Sequence, residues 1–503
     1  MLSQLPSYLT SWWSAARAWR RAKRPGWPLE RPALHELAQL NDAALPAFVR
    51  ESAAALKYLR LLGELDWAHF PEAPHRMGPK PARHAPFVAA YLIKLDKGLP
   101  SMPKLQEYLC EQPALVWVLG FDLVASPHYS WGFDIEQSLP THRHWSRLLR
   151  TLPPAQTQFL LQSTVQVLQR ELPPELLDGV VFGNEISLDT KHILAWVKEN
   201  NPKSFVEERY DKQRQPKGDP DCKLGCKKKS NQRSSPADNE PVLPTPTTEG
   251  LPASSSLPPL EKGEYYWGYA SGVVAAKLDG WGEFVLADFT QTFDKGDATY
   301  FFPLMHQTEA HLGHKPKSGA LDKAYDAFYV YEYFHNAGGF AAVPWADRPD
   351  HHKTFSDDGL PLCAAGLPMP LKSTFDKKSH CLVPHEVGRF ACPLLVPQPT
   401  GETCPIDHKQ WPKGGCVTTL PTSVGNRIRH QLDRNSIEFK RLFAQRTATE
   451  RINAQAKELG IERPKLRNYR SIANQNTLIY VLINLRALQR VRQRKAALPP
   501  LPG

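Results

Sequence analysis

Apolar positions recur at helical spacing through the first third of the chain. Residues 34–62, 86–95, 105–109 and 115–121 carry them in a pattern that predicts helices with short breaks between them. The segment 138–153, SLPTHRHWSRLLRTLP, predicts a further helix with Thr141 at its N-cap and His142, Arg143, His144, Arg147 and Arg150 along it. Such a helix suits either a DNA groove or a basic surface over a core. Residues 159–172 predict another amphipathic helix. The character changes at Val180. VVFGNEISLDTKHILAWV is β-branched and apolar, which predicts a buried strand with Asp189 at its polar exit. EYYWGYASGVVAAKL (264–278) and GEFVLADFTQ (282–291) predict two strands joined by a turn at Asp279-Gly280.

A helix is predicted over 298–311. SGALDKAYDAFYVYEYFHNAG then predicts a short strand ending at Asp322 and a helix over 326–336. Asp326 is either a rival acid to Asp322 or the cap of that helix. FAAVPW, 340–345, predicts one more strand. A strand carries one acid, two strands pair after it, a helix crosses over, and another strand ends in an acid. That order predicts an α/β fold with a mixed sheet and flanking helices.

The stretch 441–459, RLFAQRTATERINAQAKEL, completes the pattern. At helical spacing Phe443, Arg446, Glu450 and Lys457 share an arc of about 60°. Ala448, Ile452, Ala456 and Leu459 fall opposite, as a core face. One carboxylate between two cations suits either a metal ligand flanked by phosphate-binding groups or a solvated face with ordinary ion pairs. Upstream acids decide between them. Phosphodiester chemistry uses two divalent ions about 3.5 to 4 Å apart, held by few carboxylates. Asp189, Asp322 and Glu450, from two strand ends and one helix, are the candidates.

Composition sharpens this. The chain has 503 residues and a net charge of +11. Residues 425–495 hold 17 Lys and Arg against 5 Asp and Glu, about the whole excess. A basic C-terminal region calls for a polyanion, nucleic acid before an anionic membrane. No apolar run approaches a membrane span, and the N-terminus has no secretory pattern. The expected setting is cytoplasmic. Of eight cysteines, Cys363, Cys392, Cys404 and Cys416 stand in turn-like sequences of a Pro-, Gly-, His- and Cys-rich region. They suit either a structural Zn²⁺ or reduced thiols, and no C-x2-C pair is present.

These residues carry a resemblance. Phe443-x2-Arg446-x3-Glu450-x6-Lys457 resembles the Y-x2-R-x3-E-x6-K signature of DDE-type bacterial insertion-sequence transposases, with Phe in place of Tyr. LDTK at Asp189 resembles the first-acid motif, and LDKAYD at Asp322 the family's D-x-x-Y-D turn. The resemblance implies a ribonuclease H-like catalytic fold over 180–346 and 426–495. An all-α N-terminal DNA-binding or oligomerisation region, 1–175, would precede it. A disordered loop, 234–260, and an insertion, 347–425, would interrupt it. It implies two Mg²⁺ or Mn²⁺ ions on Asp189, Asp322 and Glu450. DNA contacts would come from Phe443, Arg446, Lys457, Lys191 and Lys323. The implied partners are double-stranded DNA, as element ends and target, and a second copy of the chain, at the bacterial nucleoid. The rival readings are a decayed DNA-binding remnant and a nuclease that cuts without strand transfer.

Overall fold

A computed structural model describes residues 32–72, 82–228, 263–346, 353–406 and 409–498. The loop expected at 234–260 lies outside them. The N-terminal part is helical as its periodicity predicts, apart from a two-residue hairpin pairing Val124–Ala125 with Phe133–Asp134. Three of its helices matter below: Ala85–Asp96 (α1), His142–Thr151 (α2) and Pro154–Glu171 (α3). Helix α2 buries Trp145, Leu148 and Leu149 and exposes His142, Arg143, Arg147 and Arg150. Thr141 stands at its N-cap, but its side chain makes no capping bond. Trp145 packs on Phe87 of α1 with ring centroids 4.8 Å apart. The helix therefore covers a core and turns its cations outward.

The main sheet has six strands: Glu185–Leu194 (β1), Lys223–Lys228 (β2), Gly263–Leu278 (β3), Gly282–Thr292 (β4), Ser318–Leu321 (β5) and Ala341–Ala342 (β6). The path runs β2-β3-β1-β5-β6, with β4 paired to β3. Antiparallel pairs join β3 to β1, β2 and β4, whereas β1, β5 and β6 are parallel. The β3–β4 turn falls at Asp279-Gly280 as expected, with Gly280 at φ 79°, where a residue without Cβ is unstrained. The parallel crossovers use Phe301–Leu312 (α4) and Phe328–Asn336 (α5). Alternation sorts the two faces of β3. Tyr269, Val273 and Ala275 face a core shared with the N-terminal helices; Ala270, Val274 and Ala276 face α4 and α5. The strand expected over 340–345 contracts to two residues, and the helix expected from Asp326 begins at Phe328.

The inserted region forms a separate antiparallel sheet from Leu371–Lys377 (β7), His385–Ala391 (β8) and Val417–Pro421 (β9). Val424–Gln431 (α6), Ile437–Phe443 (α7), Thr447–Glu458 (α8) and Tyr469–Ala496 (α9) follow. A 3-10 turn, Ala444–Arg446, divides α7 from α8 where the sequence suggests one helix. Helix α9 is buried along most of its length, between α1 to α3 and β4. Its buried amides pair with backbone. Asn484 accepts from the Val285 N–H and donates to the Val285 carbonyl, both at 2.8 Å. Asn474 donates to the carbonyls of Leu149 and Leu152. One continuous apolar core thus runs from the N-terminal helices into the sheet. Among the described residues no helix is long and apolar enough to cross a membrane.

Asp288 sits in this seam. Gln158 of α3 donates to its Oδ1 at 3.0 Å and Thr477 of α9 to its Oδ2 at 3.1 Å. Burial lifts its carboxyl to about 7, against the opposing pull of those two bonds. Between 3.8 and about 7 the folded chain holds a proton that the unfolded chain has lost. Stability therefore falls as pH rises through that window. Melting temperatures across it should decline in the wild type and decline less in Asp288→Asn; equal slopes would assign the titration elsewhere.

Candidate active site

Strands β1 and β5 are parallel neighbours with Leu188 opposite Leu321. The next residue on each lies at the same level, but the two differ: Asp322 directly follows β5, whereas Asp189 is not at the polar exit expected of it, because β1 stays paired with β3 through Asp189 and on to Leu194. Asp322 caps the following 3-10 turn, its Oδ1 accepting from the Lys323 N–H at 2.6 Å. Arg446 Nη1 lies 3.7 Å from Asp322 Oδ1. Asn453 donates to Asp189 Oδ2 at 3.1 Å. The 3-10 turn before α8 and α8 itself therefore lie against the two aspartates. They do so because Ala448, Ile452 and Ala456 are fully buried on the opposite face, as their spacing predicts.

Electrostatics identify a third acid. Burial raises the Asp189 carboxyl to about 6, and Asp322 and Asp297 add to the rise, while Arg446 and the Thr190 N–H oppose it. Asp297, raised chiefly by burial and in part by Asp322, accepts from Thr190 Oγ1 at 2.9 Å. Like charges gathered in a partly buried place disfavour ionisation of each other. Arg446 Nε, Asn453 Oδ1 and the Tyr325 hydroxyl are buried there without hydrogen-bond partners. The site is thus rich in carboxylate and holds polar atoms aimed at no protein group.

Glu450 lies on the same helical stripe as Arg446 and Asn453, four residues after one and three before the other. It is exposed, and among the described residues it has no hydrogen bond or ion pair. The structure thus brings Asp189 and Asp322 together and presents Glu450 from the adjoining helix without joining it to them. Among the described residues, no three His, Cys, Asp or Glu side chains are arranged to hold a metal ion as they stand.

The other expected residues divide. Phe443 stacks on Phe439 at 5.8 Å and lies under the Arg446 guanidinium at 5.6 Å, so its ring packs and supports that cation. Lys191 and Lys457 converge on Glu462, at 2.6 Å and 3.7 Å. Burial alone would raise the Glu462 carboxyl, but the two lysines outweigh it and hold it below its ordinary value. Lys323 is exposed beside Asp322. Asp326 is neither ligand nor cap. Arg429 grips it in two bonds, at 2.8 and 2.7 Å, and Tyr331 and the Ala346 N–H complete its shell. Sequence reasoning missed Asp297 and Asn453. Asn453 lay on the right stripe of the 441–459 pattern; nothing local marks Asp297.

In the insertion, register places Cys392 across from Cys416 at the ends of β8 and β9. Burial raises the Cys416 thiol to about 11, with Cys392 and then Cys363 adding to it. Three of the four expected thiols are therefore neighbours, and no contact joins Cys404 to them. Comparison with protein-family models, curated proteins and solved structures finds no match.

Proposed function

We propose that the chain is a DNA transposase of the DDE type. It would cut and join phosphodiester bonds at the ends of an insertion sequence. One observation carries the reading: two aspartates far apart in sequence stand at one level on adjacent parallel strands, beside Arg446 of the 3-10 turn and Asn453 of α8, which also presents Glu450. The strand order supports a ribonuclease H-like domain. The strand with the first acid pairs antiparallel with β3, which pairs in turn with β2 and β4, and a crossover helix then leads to a parallel strand directly followed by the second acid.

The residues fit a hard divalent cation. Their donors are carboxylates, and Asn453 Oδ1 and the Tyr325 hydroxyl are unpartnered close by. Asp189, Asp322 and Glu450 would hold Mg²⁺ or Mn²⁺, which when bound supplies an activated water and charge stabilisation at the scissile phosphate. The chain's own groups prepare that place. Asn453 fixes one Asp189 oxygen. Arg446 offsets the charge of both aspartates and offers a donor to a phosphate oxygen. Lys191 and Lys457 carry one more positive charge than Glu462 cancels, beside the same helix. Two copies of the chain would bring two element ends together.

Product analysis tests this. Purified protein with Mn²⁺ and labelled DNA from the flanks of its own gene should release 3′-hydroxyl ends and join them to a second DNA. Cleavage without joining would favour a nuclease of the same fold, and binding without cleavage a decayed remnant.

A further inference from the structure

A cavity lies off the end of β1, away from the aspartates. It encloses about 560 Å³ and is lined by Trp196, Lys198, Asn201, Pro202, Arg463 and Arg467, among others. Trp196 is 49 % exposed there, although an indole of that size is usually covered. Lys465 Nζ stands 5.8 Å from its ring centroid. The lining is built, because the Leu194 N–H donates to the Glu462 carbonyl at 2.8 Å and the Ala195 N–H to the Trp267 carbonyl at 3.0 Å. Residues 462–467 are thereby tied to the end of the strand that carries Asp189.

Part of the C-terminal basic surplus is spent in ion pairs within the chain: Arg441 pairs with Glu185, Arg451 with Glu283 and Arg429 with Asp326. Among the described residues, Arg463, Lys465, Arg467 and Lys198 are exposed and none forms an ion pair. Lys191 and Lys457 lie between them and the aspartates. Trp196 is seven residues beyond Asp189, about 23 Å of extended strand.

Resting on the DNA reading above, we propose that this cavity binds an unpaired nucleotide of the DNA strand leading from the scissile phosphate. The base stacks on Trp196, and Arg463 and Arg467 take the neighbouring phosphates. Exposed aromatic surface among free cations is what single-stranded DNA requires, and a duplex keeps its bases from such a ring.

The test uses the full chain with two probes, a short oligo(dT) and a blunt duplex of equal length. Trp196→Ala should weaken oligo(dT) binding roughly ten-fold and leave duplex binding nearly unchanged, while Trp196→Phe restores most of the loss. Arg463→Ala with Arg467→Ala should reduce the salt slope for oligo(dT) by about 1.4. All these side chains are exposed, so thermal unfolding should not move. Wild type that binds oligo(dT) with variants that match it would overturn the inference and leave the DNA reading standing. Equal losses on both probes would make the cavity a duplex contact and also overturn it. Wild type that binds neither probe would remove the DNA reading and this inference together.

Discussion

Asp189→Asn is expected to lower metal-dependent DNA cleavage roughly a thousand-fold, the scale of losing one preorganised charge at a reacting centre, while leaving DNA binding nearly intact. Asn keeps the volume and can still accept from Asn453 Nδ2, so the contact to α8 survives. The substitution removes charge from a place where burial, Asp322 and Asp297 already oppose it, so the metal-free protein should fold at least as well at neutral pH. Cleavage, filter binding and thermal unfolding of the same preparation separate the outcomes. Lost binding together with a lower melting temperature would make Asp189 a structural residue.

Asp326→Ala is expected to act on the fold, and heavily. The Asp326 side chain is 0 % exposed and the paired Arg429 only 13 %. Removing one partner leaves the other buried and uncompensated, which costs about 3–5 kcal/mol. Burial pushes the Asp326 carboxyl up, but bonds from Arg429, Ala346 and Tyr331 prevail and hold it below the ordinary value of 3.8. Its contribution is therefore full above that value and is lost as pH falls through the depressed one. Urea unfolding at neutral pH measures the loss. It should be far larger than that of Asp322→Ala, four residues away, whose carboxylate is 43 % exposed. Equal costs would mean that the Arg429 pair contributes nothing to stability.

The contrast between these neighbours shows what the sequence could convey. LDKAYD offered two acids four residues apart. What chiefly distinguishes them is an arginine 103 residues later, joined by Tyr331 and the Ala346 N–H, and no local pattern encodes that arginine. The β3–β4 hairpin was legible because Asp-Gly between alternating apolar runs is a local signal. Asp189 was read as a strand end but lies mid-strand, since β1 runs on to Leu194 against β3; Asp322 was legible as the end of its strand, and the core face of α8 followed from its period. Asp297 was not. It sits on a 3-10 turn between β4 and α4 and reaches the site only through the fold. The break at 444–446 escaped because its residues fit a continuous helix. Helix α9 is buried despite its Asn and Gln because Asn474 and Asn484 spend their amides on backbone carbonyls.

Excision in cells tests the central claim most directly. A donor plasmid carries a marker between the DNA flanks of this gene, and wild-type protein or Asp189→Asn is supplied from a second plasmid. The account predicts precise loss of the marker with wild type and none with Asp189→Asn. Excision by both proteins would contradict the assignment of Asp189. Excision by neither, with both proteins bound to the flanks, would contradict the transposase itself and leave a DNA-binding remnant.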